Sequence, residues 1–506
     1  MHKLPVAKKT MDYVSIAGGL LLLAWTLFQC ICWLATSNKC NKKLPPGPNP
    51  LPLIGNLHNI LGGQPHQSLA KLAQKYGPII SLRLGQITTV VISSSAVAKE
   101  VLQKQDLAFS SRTIPDAIYA QNVYQFSVVW LPVSDRWRSL RKILNSYIFS
   151  GSRLDQDQHL RCRKIQDIIA YCQRCSQTDE AVNIGQAAFE TSMNLLSNII
   201  FSKDVLDPYA NSGKEFQDLV RNILEEIGKP NLADYFPVLK RIDPQGIRRL
   251  LGKHFGKLLQ QIQGLIDERL DQRTRAATSC RSDILLNTSE EDPQAVDRNQ
   301  IERLILDLFI AGTDTTSNTL EWAMVEVMRK PCIMRKAKAE LAEVVGKGKA
   351  IEEADVAHLP YLQCIVKETL RMHPPVPFLI RKVDQDAQVF GYFVPKDSQV
   401  LVHVWAIDRD PAIWEDPLAF KPERFWGLKM DVRGQDFELI PFGAGRRICP
   451  GLSLATRILP VMLGSLLNSF DWKAEGDIAP EDLNVEEKFG LTLARSRPLR
   501  AVPVAL

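Results

Sequence analysis

The sequence lacks any dense run of positive charge. Lys and Arg number 62 against 56 Asp and Glu, a net charge of +6 over 506 residues, and no block approaches the density of a nucleic-acid-binding tail. Nucleic acid is therefore excluded as the partner. Regular cysteine spacing is lacking too: ten cysteines are scattered through the chain and form no disulfide framework. Cys172 and Cys175 make a C-x-x-C, but no second pair and no histidines stand at zinc-ligand spacing. Reduced, cytosolic thiols are the simpler reading. No G-x-G-x-x-G opens a helix after a strand, so there is no flavin or nicotinamide fingerprint. Past residue 53 there are no internal repeats, low-complexity tracts or long Gly/Ser linkers, and nothing divides the body into separate domains.

Apolar residues make up 45% of the chain and charged ones 23%, enough for a large packed core and against wholesale disorder. After a short segment, 1–12, an uncharged stretch of 22 residues runs from Tyr13 to Leu34. That is the length of a bilayer-spanning helix. It reads as a membrane anchor, since a cleaved signal peptide would have a shorter apolar region and a small-residue cleavage site. Lys3, Lys8 and Lys9 before it balance Lys39, Lys42 and Lys43 after it, so the charge rule leaves its orientation open. Residues 35–52 contain Leu44-Pro45-Pro46-Gly47-Pro48-Asn49-Pro50-Leu51-Pro52, whose fixed φ angles and missing amide donors predict a stiff, extended hinge. The body then spans 53–506.

Within the body, Ile79 to Ile92 reads as a hairpin around Gly85, and Val389 to Val404 as a hairpin around Pro395-Lys396-Asp397. Helical spacing covers 137–149, 186–202, 215–228, 246–275, 299–329, 333–346 and 361–372. The expected fold is mainly α with minor β. The helix from Asn299 to Lys330 would be roughly 45 Å long and cross the whole domain. Its apolar stripe breaks abruptly at Ala311-Gly312-Thr313-Asp314-Thr315-Thr316.

The most specific pattern is Phe442-Gly443-Ala444-Gly445-Arg446-Arg447-Ile448-Cys449-Pro450-Gly451, an F-x-x-G-x-R-x-C-x-G. Glycines on both sides allow a tight turn with amides aimed at the sulfur, and a helix starting near Gly451 would set its positive end beside Cys449. Both effects favour thiolate over thiol. Such a sulfur suits an axial ligand to haem iron, with Arg447 against a propionate and Phe442 packing on the porphyrin or shielding the sulfur.

On these residues the chain resembles the cytochrome P450 family from its anchor to its carboxyl terminus. It is most similar to plant microsomal members related to geraniol 8-hydroxylase and ferruginol synthase, which act on terpenoids. The likeness includes Arg112-Thr113-Ile114-Pro115, Trp130-Leu131-Pro132-Val133-Ser134, Gly228-Lys229-Pro230-Asn231 and Asp234-Tyr235-Phe236-Pro237. The resemblance implies a helical haem domain with small sheets and haem b bound through Cys449. It implies Trp137, Arg141 and Arg381 at the propionates, and a buried triad of Glu368, Arg371 and Arg424. Phe378-Leu379-Ile380-Arg381-Lys382 lacks the proline usual before that arginine, which leaves the path of this segment open.

In the long helix, Ala311 and Thr315 share a face. Small Ala311 and Gly312 would leave room for dioxygen and substrate, Thr315 would hydrogen-bond the activated oxygen, and Asp314 would relay protons from solvent. Phe126, Val128, Phe309, Val376, Phe378, Leu379 and Phe489 join Ala311 as pocket candidates, an apolar set for a lipophilic molecule. The resemblance further implies NADPH as indirect electron source through NADPH–cytochrome P450 reductase, cytochrome b5 as an additional partner, and a single-pass place in the endoplasmic reticulum membrane with a cytosolic catalytic domain. Arg136, Arg138, Lys142 and Arg446 are candidates for a basic docking face. The leading reading is insertion of one oxygen atom from O2 into a terpenoid, a monoterpenol such as geraniol or a diterpene. Its rivals are an aromatic amino-acid-derived or alkaloid substrate, a haem-thiolate isomerase or dehydratase that needs no O2, and a non-catalytic haem sensor or electron carrier.

Overall fold

A computed structural model describes residues 43–206, 212–275, 285–287 and 297–506, with four helical positions, Gly19, Leu23, Thr26 and Leu27, further upstream. The anchor expected over 13–34 otherwise lies outside the described residues, as does the first half of the hinge. The second half of the hinge is strapped to the body. Ser81 N donates to Pro46 O at 2.8 Å, Phe393 N to Lys43 O at 2.8 Å and Asn56 Nδ2 to Pro48 O at 3.0 Å. Prolines leave their carbonyls free to accept even where they cannot donate.

The body is mainly α with minor β. Its principal helices are α1 (Pro65–Tyr76), α2 (Asp135–Ile143), α3 (Gln158–Thr178), α4 (Ile184–Phe201), α5 (Ser212–Gly228), α6 (Ile247–Arg275), α7 (Arg298–Arg329), α8 (Pro331–Val344), α9 (Pro360–Met372) and α10 (Leu452–Ser469). The strands are β1 (Ile79–Leu84), β2 (Ile87–Ile92), β3 (Val182–Asn183), β4 (Phe378–Lys382), β5 (Ala387–Val389), β6 (Tyr392–Val394), β7 (Gln399–His403), β8 (Phe470–Ala474), β9 (Glu487–Phe489), β10 (Leu493–Arg495) and β11 (Arg500–Ala505). Four small sheets result, ordered β1-β2-β7-β4, β3-β11-β8, β5-β6 and β9-β10.

The hairpin expected at 79–92 is present, with Leu84 opposite Ile87 and Gly85 at φ +61° in its turn. The second hairpin is not. β6 pairs with β5 across a turn at Phe390 and Gly391, while β7 pairs parallel to β2 and antiparallel to β4. The turn at Pro395–Asp397 therefore joins strands of two different sheets. Long-range pairing with β2 decided this, and local pattern carries no record of it. The segment before Arg381, without its proline, is an ordinary strand in register with β7.

Helix α7 is capped at both levels of its first turn: Asp297 accepts from Gln300 N, and the Gln300 side chain accepts from Asp297 N. This capping box satisfies two otherwise orphaned donors. The helix then runs unbroken through the core to Arg329. Helix α10 is apolar enough to cross a membrane by composition, with mean hydropathy 1.2, but 72% of it is buried inside the protein. It is a core helix, and its start fixes the position of Cys449.

Candidate active site

Cys449 lies between a single turn at Gly445–Arg447 and the start of α10. Gly443 and Gly445 hold φ of +72° and +67°, a region closed to most side chains. A Cβ on Gly445 would also collide with the Leu102 carbonyl oxygen. The loop is closed by Cys449 N donating to Phe442 O at 2.9 Å, so half-buried Phe442 holds the turn through its backbone. Burial pushes the Cys449 thiol up; the amides of Gly451 and Leu452 and the charges of Arg141 and Arg112 oppose this. Amides and guanidiniums are the donor set a thiolate needs, and a cation at the sulfur would supply the remainder.

Four arginines converge beside this loop. Burial lowers all of them, Arg112 to about 10, Arg447 to about 9 and Arg381 well below its ordinary value; Arg141 shifts the same way. The charges that face Arg381 are Arg112 and Arg447, both repulsive. Arg447 donates to the carbonyls of Ser110, Val129 and Leu131 and lies 5.0 Å over the Trp137 ring. Arg141 lies 5.7 Å from the same ring, and Trp137 Nε1 donates to Val128 O at 3.1 Å. Uncompensated buried cations are costly. A cluster with this excess of positive charge fits the two propionates of a haem whose iron meets Cys449. Arg112 was not among the residues picked for their role, although it adjoins the cluster; its neighbour Ser111 bridges to Lys382 of β4.

Ala311 is exposed and Thr315 half-buried in the middle of a helix that is mostly buried on either side. The two side chains border open space. Thr315 Oγ1 donates to Ala311 O at 2.7 Å, and Thr313, Thr316, Ser317 and Thr319 also return their hydroxyls to helix carbonyls. Gly312 does something other than leave room for substrate. A Cβ there would stand 2.7 Å from Leu196 Cδ1, so the glycine permits close packing of α4 on α7. Asp314 is 2% exposed and accepts from Thr492 Oγ1 at 2.8 Å and Asn318 Nδ2 at 2.9 Å. Burial raises its carboxyl, against the Arg221 charge and those two hydrogen bonds.

The pocket candidates separate. Leu379 shares a strand face with Arg381, 3.7 Å from where a Gly443 Cβ would be. Phe378, one residue earlier, must take the opposite face; it packs on His403 at 4.6 Å and meets Phe489 edge-on, while Phe489 stacks on His66 at 5.7 Å. Phe309 is 1% exposed between Phe201 and Phe216, which makes it core rather than lining. Phe126 is held between Arg136 and Arg303, Val128 is buried and Val376 half-buried. A residue the sequence reading missed is Asp307. It accepts from Ser127 Oγ at 2.8 Å and Val128 N at 2.8 Å, tying the 126–130 loop to α7. Its spacing of four to Ala311 and eight to Thr315 was the available signal.

Glu368 and Arg371 are fully buried and bidentate, at 2.7 and 2.8 Å, and Arg424 Nε reaches the same carboxylate at 3.0 Å. Arg371 also donates to Asp408 O and Pro417 O, and Trp414 lies against both arginines. Of the proposed basic face, Arg446 is paired to Asp106 and Arg138 to Asp135.

The family model for cytochrome P450 matches residues 45–498. Among characterised proteins, the geraniol 8-hydroxylases of Swertia mussotii and Catharanthus roseus are each 63% identical, over 98% of this chain and 99% and 100% of theirs. A geranylhydroquinone 3''-hydroxylase of Arnebia euchroma is 54% identical over 98% of this chain and 99% of its own. With thiolate-ligated haem as the family's cofactor and an external redox partner as its electron source, the chain belongs to the cytochrome P450 family and is a monooxygenase.

Proposed function

We propose that the enzyme hydroxylates a terpenoid alcohol, a monoterpenol such as geraniol, with Cys449 as the axial ligand of haem b. The observation that carries the substrate is full-length 63% identity to two geraniol 8-hydroxylases. When bound, the haem activates dioxygen and supplies one oxygen atom to a C–H bond. The residues of the chain do the rest. Arg112, Arg141, Arg381 and Arg447 would hold the propionates, with the Trp137 ring packed against Arg141 and Arg447. Ala311 would leave space on the haem side of the helix, Leu379 would wall it, and the Thr315 hydroxyl, released from the Ala311 carbonyl, would pass on a proton held by the Asp314 carboxyl. An intact Asp314–Thr315 pair favours oxygen chemistry over an isomerase, which needs no proton supply.

The proposal includes NADPH–cytochrome P450 reductase as donor, cytochrome b5 as a second one, and an anchoring helix over 13–34 in the endoplasmic reticulum membrane with the catalytic body in the cytosol. Its test is a panel of monoterpenols, diterpenes and amino-acid-derived aromatics offered to the microsomal enzyme with reductase and NADPH. Preferential turnover of monoterpenols is expected; preference for the aromatics would replace the substrate assignment.

A further inference from the structure

A helix crossing the centre of a domain is expected to be apolar where it is buried. The second half of α7 is not: Asp314, Asn318, Glu321, Trp322 and Glu326 are all buried. The carboxyl-terminal segment runs beside this polar face. Thr492 donates to Asp314, and Arg495, three residues on, faces Glu321 and Glu326 and lies 5.6 Å from the Trp322 ring. The lengths agree, because three strand residues and the seven helix residues from Asp314 to Glu321 each cover about 10 Å.

Beyond Trp322 the polar face continues. His373 stacks on that indole at 3.9 Å, bonds Glu326 through Nε2 at 3.0 Å and brings Nδ1 to 4.0 Å from Glu487. Glu326, His373 and Glu487, with Arg329, Lys330 and Arg409, line a cavity of about 670 Å³ that opens at the surface. A second observation falls on the same strip. Arg221 Nε, Asn318 Oδ1, Trp322 Nε1, Arg495 Nε and Nη1, Arg329 Nε and His373 Nδ1 are buried polar atoms without a hydrogen-bond partner among the described residues. Native proteins satisfy such atoms with internal water, which binds where two to four polar groups converge.

We propose that this strip is a hydrated proton path from the cavity to Asp314, entering at Glu326–His373 and passing Arg495 and Glu321. It rests on the reading of Asp314 as proton donor. Asp314 faces Thr492 and Asn318 and is almost wholly buried, so it needs an internal supply. The transfer balances: one proton leaves water in the cavity, His373, Glu321 and the internal waters each pass on the one they receive while the Arg495 guanidinium, always protonated, only orients that water, and one arrives on the Asp314 carboxylate.

The test is Glu321→Gln, which keeps an acceptor for Leu499 N, now 2.6 Å from Glu321 Oε1, but carries no proton. With reductase and NADPH, the share of NADPH recovered as product should fall several-fold, with a matching rise in hydrogen peroxide and a larger solvent isotope effect. Infrared difference spectra of wild type against this variant give a reading independent of turnover: the Glu321 carboxyl band should shift at once on transfer to D2O. Should the variant lose haem, His373→Phe, which keeps the stack on Trp322, takes its place with the same expected uncoupling. Asp314→Asn separates the two claims. Uncoupling by Asp314→Asn alone, with slow exchange of the Glu321 band, overturns the path and leaves the relay; unchanged coupling in Asp314→Asn overturns both.

Discussion

Replacing Asp307 by alanine should loosen the wall of the active site without touching its chemistry. The carboxylate holds the Ser127 hydroxyl and the Val128 amide, each at 2.8 Å. Removing it leaves two donors unpaired, at about 1–3 kcal/mol each. Over both donors that comes to about 2–6 kcal/mol, and water entry and relaxation keep the loss in the lower part of it, about 3 kcal/mol. Asparagine preserves one acceptor and sets its amide against the other donor, so about 1–2 kcal/mol is expected. Urea unfolding gives the stabilities, and substrate-induced spectral titration gives the affinity, which should weaken several-fold as the 126–130 loop loses its tie. An alanine variant within about 0.5 kcal/mol of wild type, with unchanged affinity, would refute the clamp.

The same residue carries a pH signature. Burial lifts the Asp307 carboxyl to about 7, against the Ser127 hydroxyl, the Val128 and Val129 amides and Arg112, which all pull it down. In the unfolded chain a carboxyl of this type titrates near 3.9. Between those values the folded enzyme holds a proton that the unfolded chain has lost. Stability from this group is thus greatest at low pH, falls as pH rises from about 4 to about 7, and is level above. The full span corresponds to roughly 4 kcal/mol. The difference in unfolding free energy between wild type and Asp307→Asn should follow that slope; a rise with pH would contradict it.

Two further outcomes are expected. Thr315→Ala should keep haem and substrate binding but divert NADPH electrons to hydrogen peroxide, measured as product formed per NADPH consumed; unchanged coupling would sink its role in proton delivery. Glu368→Gln should destabilise by about 3–5 kcal/mol, because Arg371 and Arg424 are then buried without their carboxylate. Haem retention after mild urea treatment measures this, and retention equal to wild type would show that the carbonyls around Arg371 suffice.

How far the sequence could be read depended on how local each feature is. The cysteine loop was legible because its glycines, sulfur and helix start lie within ten residues, and α7 because its period and cap are written in its own residues. The fate of β7 was not, since its neighbours β2 and β4 are brought to it by tertiary packing. Gly312 looked like room for substrate until α4 proved to sit against it. Phe378 and Leu379 looked equivalent until strand pairing put them on opposite faces. Asp307 stood one turn before Ala311 in an apolar stripe, and only the folded 126–130 loop shows why an acid is tolerated there.

The most direct test of the account is incubation of the microsomal enzyme with reductase, NADPH, geraniol and labelled dioxygen, with Cys449→Ser as control. One labelled oxygen atom per molecule of hydroxylated product is predicted, with none from the control. Turnover without label, or a labelled product from Cys449→Ser, would contradict it.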